Sequence, residues 1–173
     1  MIHYPSDSRL LVLADEATRQ DGLATSLRVQ RARLDPSMQL ELWDSTARVT
    51  YDQTLWNELV SLRFLERHAH LIIVGPVGVG KTFLAHTLGH IACRHAHAVL
   101  ALRADKMLKT LKHARLDNSY EAELRKFLAV DLPMFADPMR AQSAIDRLTG
   151  NAYDLVIEGE SYRQRLKPRL ATA

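Results

Sequence analysis

The run LIIVGPVGVGKTFLAH, residues 71–86, limits what this chain can fold into more than any other stretch. Leu71, Ile72, Ile73 and Val74 are wholly apolar and bounded by glycine, the pattern of a short strand buried on both faces. Gly75, Pro76, Val77, Gly78, Val79, Gly80, Lys81 and Thr82 then fit G-x-x-x-x-G-K-[ST]. A helix is predicted from Lys81 to about Arg94. Strand, glycine loop and helix in that order form a cradle for phosphate. Glycines let the backbone wrap an anion closely. The loop N–H groups and the positive end of the helix dipole face it.

Further strands and helices alternate along the chain. Residues 98–102 and 153–158 read as strands. Residues 105–115 and 119–129 read as helices, the second capped by Asn118 or Ser119. Asp137-Pro138 reads as a helix start, with the helix reaching Leu148. Residues 8–33 read as a helix bent or broken at Gly22 and ended before Pro36. Residues 53–66 read as one amphipathic helix. The alternation predicts an α/β fold with a parallel sheet flanked by helices. Residues 1–50 are taken as an N-terminal helical segment and 51–173 as the phosphate-binding domain.

Composition narrows the class. The chain has 173 residues, 47% hydrophobic and 25% charged, as in ordinary globular proteins. No apolar run approaches the roughly 18–20 residues of a membrane span, and the N-terminus lacks the basic start of a signal peptide. Cys93 is the single cysteine, so a cytoplasmic location is expected. The net charge of +3 is uneven. Residues 103–115 carry five basic groups against Asp105 alone, and residues 163–169 carry four with no acid. Arg103, Lys106, Lys109 and Lys112 recur every third position. They form either a solvated helix face or a surface for non-specific contacts with DNA phosphates.

Within the cradle, Lys81 would neutralise β- and γ-phosphate charge and Thr82 would ligate Mg2+, so ATP or ADP with Mg2+ is the expected ligand. Hydrolysis needs another acid at the end of a buried strand. Asp131 follows four residues of apolar character, but Pro133 argues against a central strand there. Glu158 and Glu160 lie far toward the C-terminus. The Walker B acid is therefore not identifiable from sequence. His86 and His90 stand four apart, with Cys93, His95 and His97 beyond. No C-x-x-C or nearby acid completes a metal set, and packing is the better reading. His68 and His70 suggest nothing further.

Two longer runs carry a resemblance. The first extends from LWDSTARVTYDQTLWNELV through the loop to SYEAELRKFLAVDL, and the second is FADPMRAQSAIDRLTGNAYDLVIEGESYRQRLKP. Together they resemble the IstB-like proteins, ATP-binding transposition helpers of bacterial insertion sequences related to AAA+ helicase loaders. The resemblance covers roughly residues 10–170. It implies an AAA+-like P-loop sheet in the order 5-1-4-3-2, with a transposase, DNA and a homo-oligomer as partners. It also implies that Arg147 reaches the ATP of a neighbouring subunit as a finger. In the family, FLAVDL runs into a strand ending in two acids, followed by a helix and a sensor strand. Here Leu132 is followed directly by Pro133, Met134 and Phe135, as after an internal deletion.

Strands 3 and 4 are therefore expected to be missing, the domain to be destabilised or rearranged, and efficient hydrolysis not to occur. Strand 5 can still pair with strand 1. Strand 2 either moves in beside strand 1 or leaves an open edge. Two other classes fit the sequence: a non-catalytic remnant or DNA-binding assembly module of a decayed element, and a small-molecule P-loop kinase.

Overall fold

The computed structural model describes residues 6–136 and 152–162. A long helix, α1 (Ser6–Ala32), leads into a loop and a short β1 (Val49–Tyr51). Helices α2 (Gln53–Val60) and α3 (Arg63–Glu66) precede β2 (His70–Val74), and α4 (Lys81–Arg94) follows the glycine loop. Then come β3 (Val99–Arg103), α5 (Ala104–Leu116), α6 (Tyr120–Leu128), β4 (Leu132–Ala136) and β5 (Ala152–Gly159). The helix expected at 138–148 lies outside the described residues.

The strands form two sheets. In the first the order is β1-β5-β2. β5 runs parallel to β2, from His70 opposite Ala152 to Val74 opposite Val156. On its other edge β5 pairs antiparallel with β1, Val49 opposite Gly159. In the second sheet β3 and β4 pair in parallel, Val99 opposite Leu132. Helix α4 packs against β2, β3 and β4 and is the element that both sheets share. Its Leu84, Leu88, Ala92 and Cys93 are buried with Leu155 and Ile157 of β5 and Val99 of β3.

This arrangement meets one expectation and corrects another. β2 and β5 pair as strands 1 and 5 of the expected order should. β3 does not move in beside β2. It pairs instead with a strand at 132–136, in the place of the strand 3 expected to be missing; Pro133 had argued only against a central strand there. The proline is tolerated because β4 is an edge strand in this two-stranded sheet, bonded on one side only. The sheet is thus divided where strand 4 of the family order would stand, between β2 and β4.

Two helix boundaries also differ from expectation. Gly22 does not break α1, which is continuous from Ser6 to Ala32. A side chain at Gly22 would meet nothing within 4 Å, so the position is exposed helix with only a propensity cost. The 53–66 helix is cut at Leu62, which is buried but adopts a left-handed backbone, φ 60°. Leu62 keeps its place in the core while the chain turns toward β2.

The loop after α1 is fastened to α4 by two histidines. The Asp35 backbone N–H donates to His86 Nδ1 at 3.0 Å. His90 Nε2 lies 2.9 Å from the Asp35 carbonyl oxygen and donates to it. Burial pushes the His86 imidazole below its ordinary value of 6.5, while the Asp35 carboxylate opposes the shift and His90 adds to it. The neutral ring is the one that accepts this bond. Its stabilisation is therefore present above about pH 6.5 and is lost as pH falls. Thermal melts of the wild type and of His86→Phe should differ by about 1 kcal/mol at pH 7.5, roughly 2–4 °C. The gap should be smaller at pH 5. An equal gap at both pH values would contradict this assignment.

Candidate functional site: a phosphate-binding loop

Residues 75–80 link the C-terminal end of β2 to the first turn of α4, so the loop amides and the helix dipole converge on one point. Three loop glycines have positive φ, at 149° for Gly75, 89° for Gly78 and 96° for Gly80. Val79 between them is 1% exposed and pins the loop into the core, whereas Val77 at the tip is 78% exposed. Lys81 Nζ donates to the carbonyl oxygens of Gly75 at 2.8 Å and Pro76 at 2.6 Å. Its ammonium is thus folded over the loop by neutral acceptors that a phosphate oxygen can replace at a gain in charge. The Thr82 side chain is exposed beside it.

Three distant segments hold the loop in shape. A methyl group at Gly75 would overlap the carbonyl oxygen of Ile157, so β5 fixes the loop's beginning. The Tyr162 N–H donates to the Gly78 carbonyl at 3.0 Å, so the turn after β5 clasps its middle. At its end, a Cβ on Gly80 would come within 2.9 Å of the Trp43 ring. Trp43 also meets Phe83 edge-on, with centroids 5.1 Å apart. No spacing or motif in the sequence marks Trp43, Ile157 or Tyr162 as loop supports. The stretch GESYR around Tyr162 is legible only as part of a resemblance.

The other candidate residues fall away from the loop. Asp131 sits at the N-terminal end of β4, where its Oδ2 accepts from Ala98 N–H at 2.8 Å and lies 3.6 Å from His97 Nδ1. It ties the start of β3 to the start of β4. A catalytic acid would have to stand at the opposite, C-terminal end of the strand. Glu158, opposite Thr50, and Glu160 are exposed, and the Glu160 N–H donates to the Arg48 carbonyl. His86 and His90 are spent on Asp35, and among the described residues no His, Cys, Asp and Glu cluster could hold a metal. Cys93 is fully buried and burial raises its thiol pKa, so it is a core residue. Arg147 lies outside the described residues.

The family of IstB-like ATP binding proteins matches residues 6–134. The chain belongs to this family. The insertion-sequence ATP-binding protein y4uH of Sinorhizobium fredii is 29% identical, with 91% of this chain and 82% of that protein aligned. An insertion sequence IS21 ATP-binding protein of Pseudomonas aeruginosa is 31% identical over 81% of this chain and 69% of its own length. The alignment with y4uH extends over 203 residues, more than the 173 of this chain. That relative therefore carries residues inside the aligned span that this IstB-like chain lacks, as the abrupt join after Leu132 implied.

Among solved structures, AMPPCP-bound DnaA from Aquifex aeolicus superposes with a TM-score of 0.51 at 19% identity. The match covers 80% of this chain and 46% of the DnaA chain. The likeness shows an AAA+-like P-loop fold. In this IstB-like chain the glycine loop follows β2, which is paired with β5, and the sheet is divided at the free edge of β2. Among the described residues, no helix is long and apolar enough to cross a membrane.

Proposed function

We propose that this IstB-like chain binds ATP or ADP with Mg2+ through residues 75–82 and serves as a nucleotide-controlled module for a transposase on DNA. The observation that carries the reading is the Lys81 ammonium lying on the Gly75 and Pro76 carbonyls at the mouth of a loop that opens a helix. On nucleotide binding, Lys81 would exchange those carbonyls for β- and γ-phosphate oxygens. The loop amides would take up the remaining phosphate charge. Mg2+ fits the residues present: the Thr82 hydroxyl is exposed and bonds no described residue, which leaves it free as a ligand alongside the phosphates. The ion would neutralise charge between the phosphates.

Turnover is not part of the proposal. Asp131, the candidate acid, is held at the N-terminal end of β4, and Glu158 and Glu160 are exposed at and just past the end of β5. The kinase alternative would need an acceptor site after β3, but Asp105 there is bonded to Arg103 at 3.0 Å. The insertion-sequence relatives support an association with a transposase element. DNA, a cytoplasmic setting and a homo-oligomer in which Arg147 reaches a neighbour's nucleotide are part of the same proposal.

A paired experiment on the purified chain tests the reading. Melting with a hundredfold excess of ATP or ADP and Mg2+ over Kd should stabilise it by about 2.7 kcal/mol. Phosphate release from ATP should stay at background with and without DNA. No shift with either nucleotide would end the nucleotide assignment. DNA-stimulated turnover would end the non-hydrolytic one.

A further inference from the structure

Strand β2 is composed like the centre of a sheet but placed at its margin. After His70 it is wholly apolar through Val74, a make-up that suits a strand covered on both faces and paired on both edges. It pairs only with β5, and among the described residues no strand lies along its other edge. None of its residues is buried, and Val74 is 41% exposed. The usual protections of an edge are also missing: no proline, lysine or bulge interrupts Leu71–Val74. The free edge of β4 differs. The Leu132 N–H donates to the Ala98 carbonyl at 3.1 Å, so Pro133, next along, turns its backbone away from β3. That edge lacks a donor at the proline, whereas the edge of β2 keeps all of its own.

We propose that the free edge of β2 takes up a strand from another polypeptide: an uncharged, extended segment rich in Val, Ile and Leu, supplied by a complete IstB-like protein. Main-chain bonds to β2 would hold it, and its apolar side chains would cover Ile72 and Val74. Helix α4 packs on β2 and also on β3 and β4, so the second sheet flanks the space beside β2. A lone segment suits that space. A second copy of this chain would have to bring its own sheet and α4 to the same place. The source follows from what this chain lacks. Its alignment with y4uH runs to 203 positions against the 173 residues of the chain, a surplus of at least 30 in the relative. The family match stops at residue 134, inside β4, consistent with the surplus entering between β4 and β5. A parallel strand with its crossover needs about a dozen residues or more, so the surplus is long enough to supply one.

The proposal does not depend on nucleotide binding, and nucleotide is left out of its test. Overlapping synthetic peptides that tile the surplus segment of y4uH would be added to the full chain, with melting temperature and amide hydrogen exchange as readouts. One peptide should raise the melting temperature, because it binds the folded chain and not the unfolded one. The same peptide should slow exchange at residues 70–74 by at least about tenfold. Two versions of it, each methylated on alternate backbone nitrogens, test the kind of contact. At least one should lose both effects, because the donors that pair with β2 are gone while the apolar side chains remain. Failure of every peptide to protect residues 70–74 would overturn the proposal. So would equal protection by both methylated versions, which would mean apolar sticking without strand pairing. Protection of residues 70–74 that rises with protein concentration alone would put a second copy on the edge and would overturn it too.

Discussion

Replacing Lys81 by alanine is expected to remove tight nucleotide binding while leaving the fold intact. Among the described residues the side chain bonds only loop carbonyls, Gly75 and Pro76, and the loop's shape is set elsewhere, by buried Val79 and by contacts from Ile157, Trp43 and Tyr162. With nucleotide bound, the lysine would make charge-assisted bonds to phosphate, each contributing about 1.5–3 kcal/mol. Losing two of them should weaken ATP by roughly a hundredfold to ten-thousandfold. Titration with a fluorescent ATP analogue reads the affinity, and a melt without ligand reads the fold. The expected pair is a large loss of affinity with an unchanged melting temperature in the absence of nucleotide. Wild-type affinity in the variant would show that the loop does not hold phosphate.

The parts of the fold that were legible are those whose cause is local. Helix α4 begins at Lys81 and ends at Arg94 as expected, because the glycine loop fixes its start and an apolar face runs through it. β3 and β5 were legible because short apolar runs end at polar or glycine residues. The missed features have causes elsewhere in the chain. β1 is three residues long and exists because β5 offers it an edge. The break at Leu62 has no glycine or proline to announce it. β4 contains Pro133, and only its edge position makes that acceptable. The candidate site divides in the same way. Residues 75–82 were evident from spacing, whereas the supports at Trp43, Ile157 and Tyr162 come from segments far away in sequence. Asp131 had the right neighbours for a catalytic acid, but strand polarity, which only the pairing reveals, puts it at the wrong end.

The largest effect on stability is expected at Leu155. It lies in the middle of β5, the one strand described as paired on both edges, with β1 on one side and β2 on the other. Along β5 the faces alternate: Leu155 and Ile157 are 0% exposed, whereas Val156 is 50% exposed. The inward pair packs into the cluster built on α4, so it connects the three-stranded sheet to the helix that also carries β3 and β4. A divided sheet cannot share load across a continuous ladder, so this helix-mediated packing must hold the halves together. Leu155→Ala should therefore cost about 2–5 kcal/mol, a large part of the roughly 5–15 kcal/mol of an ordinary domain. The melting temperature should drop by roughly 5–15 °C. Val156→Ala, on the same strand and one residue away, should cost less than about 1 kcal/mol, because it removes little buried surface. Urea denaturation of the two variants separates the cases. Similar losses would mean that the outward face of β5 is also packed, and that the sheet is covered on both sides.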